Sequence, residues 1–238
     1  MEIIYEDNHI IVVNKSPGEI VQGDKSGDEP LSEKVKAYIK ESCAKPGAVF
    51  LGVVHRLDRP VGGLVVFART SKALTRLNEM FRTGKVKKTY WAITPKKSNV
   101  PDESLPAEPA LLEHWLVRNE KQNKSYAYDH EVAQSKHALL DYRVIGSSDR
   151  YQLVEVHLHT GRHHQIRCQL SKVGLTIRGD LKYGSPRSNP DGSISLLARS
   201  IEFVHPVSKK QISLTAPLPS DRLWQVLSGE ASKSDEKQ

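Results

Sequence analysis

The sequence of 238 residues has little of what marks a secreted or membrane protein. It has only two cysteines, Cys43 and Cys168, which lie far apart and in no CxxC pair, a usage that favours a reducing compartment. The N-terminal segment carries acids where a signal peptide carries positive charge. No apolar run approaches the roughly 18–20 residues that span a bilayer. These absences predict a cytoplasmic protein.

Positive charge is the main excess in the composition. The 35 Lys and Arg residues outnumber the 28 Asp and Glu residues, which gives a formal net charge of +7 and a pI near 9.3. Such a balance attracts polyanions through phosphate contacts and counterion release, and nucleic acid is the commonest such partner. A merely soluble basic protein would have the same composition, so charge alone leaves both interpretations open.

Hydrophobic periodicity predicts strands joined by hairpins, with helices between them. The β-rich runs at 3–5 and 10–13 predict a first hairpin, and those at 139–145 and 152–158 predict a second. Further strands are predicted at 49–55, 63–68, 87–94, 194–204 and 211–215. Helices are predicted at 31–39, from Ser71 to a stop at Gly84, at 163–173, and from Asp221 with Ser220 as its cap. Residues 98–109 are predicted to form an irregular surface loop.

No strict strand–helix–strand alternation is present, which counts against a doubly wound fold. Strands paired by hairpins instead predict an α+β fold with a mixed, mainly antiparallel sheet and flanking helices and loops. No internal repeat or strong linker divides the chain. We therefore expect one domain over residues 1–220, followed by a C-terminal helix and polar tail over 221–238.

A charged cluster, HRLDR at 55–59, lies between two predicted apolar strands. Charge is costly to place in such surroundings. If the strand continues through the cluster, Arg56 and Asp58 lie on the same face. The alternative is a surface turn with a solvated ion pair, which is common and contributes little stability.

A second cluster, TGRHHQIR at 160–167, lies where a strand gives way to a helix. Helix N-termini offer free backbone N–H groups and a positive dipole end, so Arg162, His163 and His164 would form a phosphate-facing corner. Arg167 lies about one turn further in, among apolar residues. A guanidinium that is partly buried there would require a carboxylate partner.

Four histidines close together in sequence offer a competing interpretation of this region. His157 and His159 alternate on one strand face, and His163 and His164 follow, so the group could bind zinc. A zinc site of neutral ligands usually adds a carboxylate or a thiolate, and the neighbouring arginines would oppose a cation. We therefore expect no metal.

Basic and aromatic residues are interleaved at 85–91. Lys87 and Lys88 beside Tyr90 suit a groove that follows phosphates and stacks a base. The alternative is an exposed basic strand with Tyr90 or Trp91 in the core. Strand alternation places these two rings on opposite faces, so only one of them can be core on a one-sided sheet.

Taken together and in this order, these segments resemble the RluA family of pseudouridine synthases. The similarity runs from about Glu2 to Leu218, and HRLD followed by glycines and an apolar strand, with a later TGRxHQIR, is a highly specific combination. The motifs that carry it are HRLDRPVGGLVVFART at 55–70, KKTYWAI at 87–93, VHLHTGRHHQIRCQL at 156–170, IRGDLKYG at 177–184 and LARSIEFVHP at 197–206.

The resemblance implies isomerisation of uridine to pseudouridine in ribosomal or transfer RNA. The N1–C1′ glycosidic bond breaks and the ring rejoins through C5, with no metal or redox cofactor. Asp58 matches the family's essential aspartate, Tyr90 the tyrosine that stacks on the target base, and Arg167 the basic residue that pairs with the aspartate. The target base must leave its stack, and Arg56 could fill the vacated space.

RNA recognition is expected to come from the catalytic domain itself, because the chain has no room for the S4-type module that some relatives carry. A monomer is expected. The residues predicted to contact RNA are Arg56, Arg59, Lys87, Lys88, Arg162, His163, His164 and Gln165. Two other classes stay open: a non-catalytic RNA-binding protein on the same fold, which would need neither Asp58 nor Arg167, and a metal-dependent phosphohydrolase.

Three positions depart from the family's pattern. Many relatives have Thr-Ser or Ser before the glycine where this chain has Val61-Gly62, and Thr or Ser where it has His163. These two differences are expected to alter loop contacts rather than the bond chemistry. Leu197 stands where many relatives place a histidine, and its role is left open.

Overall fold

The structure is a computed structural model that describes residues 1–44, 46–96 and 108–229. The chain forms two compact units. Unit 1 comprises residues 1–88 and 198–217, and unit 2 comprises residues 89–197 and 218–238. Most of the loop predicted at 98–109, and the tail after residue 229, lie outside the described residues.

Strands and helices alternate irregularly along the chain. In the described residues they are, in order, β1 (Glu2–Glu6), β2 (Ile10–Lys15), α1 (Leu31–Ser42), β3 (Gly52–Val53), β4 (Gly62–Ala68), α2 (Ser71–Arg82), β5 (Lys87–Pro95), β6 (Ala110–Asn119), β7 (Lys124–Tyr128), β8 (Lys136–Ser147), β9 (Tyr151–Leu158), α3 (Gln165–Lys172), β10 (Leu196–Val204), β11 (Gln211–Thr215) and α4 (Arg222–Ser228). A short 3-10 turn covers Leu181–Tyr183. The predicted α+β fold with a mainly antiparallel sheet is confirmed.

Unit 1 is built around the strand order β1-β2-β4-β10, with β3 beside β4 and β11 beside β10. Strand β2 pairs antiparallel with both β1 and β4. Ile10 to Val13 are fully buried, and every residue of β4 is buried, which is typical of a strand covered on both faces. Asp7 closes the first hairpin, because its Oδ1 accepts the N–H groups of His9 at 2.7 Å and Ile10 at 2.9 Å.

The two helices of unit 1 begin and end as their sequences direct. Helix α1 buries Leu31, Val35 and Ile39, a spacing that places them on one face. Helix α2 is capped by Thr70, whose Oγ1 accepts the N–H of Ala73 at 3.2 Å. Gly84 follows its last turn with a φ of +69°.

Unit 2 is built around the strand order β5-β9-β8-β6-β7. The pairs β5–β9, β8–β9, β6–β8 and β6–β7 are antiparallel. The hairpin of β8 and β9 has a register shift between Val144 and Gly146. Strands β6 and β7 were not predicted, although β6 alternates clearly, with Leu112, His114 and Leu116 all buried.

Both predicted hairpins and the predicted helices at 31–39 and from residue 71 are confirmed, while three boundaries were wrong. Strand β3 has two residues instead of the seven predicted at 49–55. Helix α3 begins at Gln165, because His164 adopts a left-handed φ of +51° and cannot continue a helix. Helix α4 is capped by Asp221, whose Oδ1 accepts the N–H of Leu223, and not by Ser220. Among the described residues no helix is long and apolar enough to cross a bilayer.

Gly63 is required at the start of β4. Its φ of +113° disfavours any L side chain, and a Cβ there would lie 2.4 Å from the backbone oxygen of Ala198 in β10. Gly63→Ala should therefore lower the free energy of unfolding by about 3 kcal/mol, from backbone strain and overpacking together. Gly84→Ala is the control, because its φ is also positive but its Cβ would meet no atom within 4 Å. It should cost only about 1 kcal/mol. Equal losses in denaturant unfolding would contradict the steric argument.

Candidate functional site

Asp58 lies in the loop that leads from β3 into β4 of unit 1. Its side chain is half-buried, and its backbone carbonyl accepts the N–H of Val61 at 3.0 Å, which closes a turn. Gly62 and Gly63 follow and begin the buried strand. The loop therefore holds a carboxylate at the end of the most deeply buried segment of unit 1.

A buried lysine holds this loop in place. Lys15, at the end of β2, is only 1% exposed. Its ammonium donates to the backbone carbonyls of Ser16 at 3.1 Å, Arg59 at 3.1 Å and Val61 at 2.7 Å. Two of these three acceptors, Arg59 and Val61, closely follow Asp58 in sequence, so Lys15 fixes the backbone on the C-terminal side of the carboxylate.

The charge state of Lys15 follows from its surroundings. Burial lowers the pKa of its ammonium to about 8, while the carboxylates of Glu19 and Asp58 act in the opposite direction. Lys15 was not among the residues predicted from the sequence. Its position in the strand indicated that its side chain is buried, because strand alternation places it on the same face as Ile11 and Val13.

His55, the first residue of the HRLD motif, is a neutral packing group. Its Nε2 accepts the N–H of Val66 at 3.0 Å, and its ring stacks on Phe81 with centroids 4.7 Å apart. Burial, helped by the nearby Lys88 cation, lowers the pKa of His55 to about 3. The imidazole is therefore uncharged near neutral pH and fixes the loop to β4.

The other predicted cations of unit 1 differ in exposure. Arg56 is exposed, and the exposed Arg59 forms an ion pair with Asp28. Lys87 is exposed as well. Lys88 is half-buried 6.0 Å from the ring centre of Phe81, and burial lowers its pKa. Arg56, Arg59 and Lys87 are thus available to solvent, while Lys88 is partly withdrawn.

Arg167 lies in α3 of unit 2 and is 5% exposed. Its Nε and Nη2 donate to the two carboxylate oxygens of Asp180 at 2.7 and 2.8 Å, and its guanidinium lies 5.1 Å from the ring centre of Tyr183. The carboxylate partner that a buried guanidinium requires is therefore present within unit 2. Asp180 was not predicted as this partner, although it lies in the motif IRGDLKYG. The pairing of Arg167 with Asp58 stays a prediction.

Tyr183 connects this ion pair to the loop before α3. Its hydroxyl accepts the N–H of Ser125 at 2.8 Å and lies 3.0 Å from Nδ1 of His164. Burial raises the pKa of Tyr183, so the phenol stays protonated and can donate to His164. Burial, together with the Arg167 cation, lowers the pKa of His164 to about 2, so its imidazole is the neutral acceptor.

The burial of His164 and Gln165 opposes the direct RNA contacts predicted for them. They are 8% and 3% exposed. Gln165 accepts from the hydroxyl of Thr160 at 2.9 Å and the N–H of Arg162 at 3.0 Å. It also donates to the carbonyl of Leu139 at 3.1 Å. Both side chains hold the loop in shape, and the RNA contacts predicted for them stay predictions.

Arg162 and His163 lie nearer the surface of unit 2. Arg162 is exposed, and its Nε donates to the carbonyl of His137 at 2.8 Å. The two ring nitrogens of His163 lie 2.9 Å from Oγ of Ser125 and 3.0 Å from Oδ1 of Asn123. Both side chains are therefore oriented by the protein while part of each still faces solvent.

Tyr90 and Trp91 lie on opposite faces of β5, as alternation predicts. Tyr90 is 8% exposed. Trp91 is half-buried, and its Nε1 donates to Glu155 at 3.2 Å. Tyr90 is thus the ring of the pair that is withdrawn from solvent, and its predicted stacking on a base stays a prediction.

The four histidines considered for zinc fall into two separate pairs. His157 and His159 each lie 2.7 Å from a different oxygen of Asp141, while His163 and His164 stack on each other with centroids 3.8 Å apart. Within the described ranges, no three His, Cys, Asp or Glu side chains are grouped as metal ligands would be. The four histidines do not form one cluster.

Comparison with known proteins places the chain among RNA-modifying enzymes. The sequence profile of the family described as RNA pseudouridylate synthase matches residues 9–172. An uncharacterised RNA pseudouridine synthase of Chlorobaculum parvum is 32% identical, over 92% of this chain and 71% of its own length. The ribosomal large subunit pseudouridine synthase D of Zymomonas mobilis is 29% identical, over 93% of this chain and 70% of its own length.

A solved structure supports the same relationship. Human RNA pseudouridylate synthase domain containing 4 superposes with a TM-score of 0.74 at 25% identity. The match covers 94% of this chain and 91% of the human one. The similarity therefore extends over both units of the chain.

The depressed pKa of Lys15 predicts a pH dependence of stability. Because its pKa is 10.5 in the unfolded chain and about 8 in the folded one, the unfolded chain binds more protons between these values. The free energy of unfolding should then rise with pH through this window, by about 3 kcal/mol for this group. Lys15→Met should lose this rise and Lys40→Met, at an exposed lysine of α1, should keep it. Urea unfolding across the window measures both, and a rise retained in Lys15→Met would contradict the assignment.

The pair of Arg167 and Asp180 predicts a large cost for losing the carboxylate. Asp180→Asn should lower the free energy of unfolding by about 3–5 kcal/mol, because a buried guanidinium loses the carboxylate that binds both its Nε and its Nη2. Asp129→Asn is a matched control, since Asp129 also pairs with a cation of α3, Lys172, but at an exposed position. It should cost at most about 1 kcal/mol. Thermal and urea unfolding measure both, and similar losses would show that burial of the pair is not decisive.

Proposed function

This chain belongs to the RNA pseudouridylate synthase family and isomerises uridine in RNA to pseudouridine, and we propose that Asp58, Tyr90 and Arg167 are its catalytic residues. The observation that carries the proposal is the loop tethered by Lys15. Burying an ammonium to fix the backbone on the C-terminal side of one carboxylate is costly. A non-catalytic RNA-binding protein would not need that arrangement.

Asp58 acts on the glycosidic bond. Cleavage of the N1–C1′ bond develops positive charge at C1′, and an ionised carboxylate can stabilise or trap that centre, as in glycosidases. The uracil then turns and rejoins the sugar through C5. The turn of Asp58 is fixed by its own carbonyl and by Lys15, so the carboxylate is positioned before the substrate arrives.

In this proposal Arg167 orients the carboxylate of Asp58. The fork of a guanidinium fixes the direction of the two carboxylate oxygens that it binds. Asp180 and the ring of Tyr183 hold Arg167 in one orientation. Asp180 is therefore a positioning residue in this proposal and not a catalytic one.

Tyr90 holds the target base. The uracil is both the leaving group and the incoming nucleophile, so the site must retain it while it rotates. A tyrosine ring allows rotation on its face, where a clamp of hydrogen bonds would not. The target nucleotide leaves its stack to reach this ring, and Arg56, exposed in the loop of Asp58, would fill the vacated space.

The proposed substrate is structured RNA, and large-subunit ribosomal RNA is the first to test. The relative from Zymomonas mobilis carries that substrate in its name. Exposed Arg56, Arg59, Lys87 and Arg162 would contact RNA phosphates. Transfer RNA, the cytoplasm and a monomeric state stay predictions from the sequence.

Asp58→Asn tests the proposed catalytic role. The variant should fold and bind RNA normally but form no detectable pseudouridine in a large-subunit ribosomal RNA transcript, because a neutral amide cannot stabilise a cationic C1′. Asp24→Asn, at an exposed acid of the same unit, should keep full activity. Residual turnover of Asp58→Asn within about tenfold of the wild type, about 1.4 kcal/mol of barrier, would remove Asp58 as the catalytic group.

A further inference from the structure

A polar pocket of about 240 Å³ opens on unit 2. Strands β6, β7 and β8 and the loop before α3 all contribute to its wall. The side chains that matter here are Arg118, Ser125, Lys136, Arg162 and His163. Only the last two were predicted from the sequence to contact RNA.

The charge of the pocket has one sign. Arg118, Lys136 and Arg162 line it, and no Asp or Glu is among its lining residues. None of these three cations forms an ion pair with another described residue, whereas the nearby His137 has Glu113 as its partner. All three are exposed, so their charges face the solvent at the pocket.

The pocket is also organised in advance. The Nε of Arg162 is bonded to the carbonyl of His137, which orients the guanidinium. Ser125 donates its hydroxyl to the carbonyl of His163 at 2.8 Å and also contacts the ring of that residue. Gln165, buried beneath, accepts the N–H of Arg162. Arg162 and Ser125 are therefore held in place before any ligand binds, which reduces the entropy lost on binding.

The chemistry of these groups selects a phosphate. Guanidinium groups match phosphate oxygens with paired hydrogen bonds, and an ammonium adds a point charge. The positive field extends below the pocket, since Arg118 and Lys182 also contribute, after burial, to the low pKa of His164. A carboxylate ligand would satisfy fewer donors than a tetrahedral anion, and a cation would be repelled.

We propose that this pocket binds a backbone phosphate of the substrate RNA, so that unit 2 has an RNA contact formed by β6, β7 and β8. The proposal rests on RNA being the substrate. A phosphate contact fixes the position of the RNA without reading its sequence. It therefore contributes to affinity and register, and not to the chemistry at the uridine.

The test compares Arg118→Gln, Lys136→Gln and the double variant with the wild type. Arg150→Gln is the matched control, since Arg150 is an exposed cation in the turn between β8 and β9, at the opposite end of that hairpin from Lys136. The probe is an in vitro transcript of large-subunit ribosomal RNA. Its Kd is measured at several salt concentrations between about 0.05 and 0.2 M. Far-UV circular dichroism and thermal unfolding confirm that each variant is folded.

The double variant should bind the transcript about tenfold more weakly near 0.15 M salt, and the slope of log Kd against log salt should fall by about one. Each single variant should lie between the double variant and the wild type, and Arg150→Gln should stay within about twofold. At saturating RNA kcat should be unchanged, because the lost contact stabilises the bound substrate and the transition state equally. An unchanged Kd and salt slope in the folded double variant would overturn the proposal.

An experiment with inorganic phosphate distinguishes two possible ligands of the pocket, an RNA phosphate and a free anion. Binding of phosphate alone is followed through the imidazole proton resonances of His163. Phosphate that perturbs these resonances in the wild type but not in the double variant supports the pocket, provided that RNA affinity also falls. If phosphate binding is lost while RNA affinity is unchanged, the pocket is a free-anion site and the RNA assignment is wrong.

The proposed catalytic function and the pocket fail in different measurements. If the wild type forms no pseudouridine in the transcript, the choice of substrate is wrong, but the salt slopes still report on the pocket because they need no turnover. If pseudouridine forms normally and the double variant keeps its salt slope, the pocket assignment alone is wrong.

Discussion

The cost of burying a positive charge governs how both units hold their functional groups. Lys15 in unit 1 and Arg167 in unit 2 are almost fully withdrawn from water. Each is tolerated only because its hydrogen-bond donors meet acceptors: three backbone carbonyls for Lys15 and a bidentate carboxylate for Arg167. A cation that is fully satisfied in this way is hard to move, so the segments that it contacts are fixed as well.

The two buried cations differ in which part of the protein they hold in place. Lys15 binds backbone and so determines the path of the loop that carries Asp58. The carboxylate of Asp180 binds a side chain and so determines the orientation of Arg167, which the ring of Tyr183 supports from one face. The hydroxyl of Tyr183 also hydrogen-bonds Ser125 and His164. The contacts that fix Arg167 therefore also fix the loop before α3. The motif IRGDLKYG, which has no obvious chemistry of its own, acts through this support.

The cations at the surface are available to bind RNA. Arg56, Arg59, Arg118, Lys136 and Arg162 are exposed cations on a chain of net charge +7, as a protein that binds the RNA backbone requires. The buried cations Lys15 and Arg167 both contact residues of the family's motifs: Lys15 binds the carbonyls of Arg59 and Val61, and Arg167 binds the carboxylate of Asp180. The exposed cations of β6 and β8 lie outside those motifs, which is why the similarity to the family did not reveal them.

The sequence alone determined the α+β class, both hairpins, the buried strand β4 and the family, because strand alternation and the motifs are local patterns. It also indicated that Arg167 would be buried and would need a carboxylate. Only the tertiary structure decided that Asp180 is a carboxylate partner of Arg167 and that Lys15 holds the loop of Asp58. It also decided that His164 and Gln165 are buried. Each of these depends on residues that are distant in sequence or on a local backbone conformation, such as the left-handed φ of His164. Strand alternation places Lys15 on the buried face of β2, but no periodic pattern indicates which carbonyl groups its ammonium would bind.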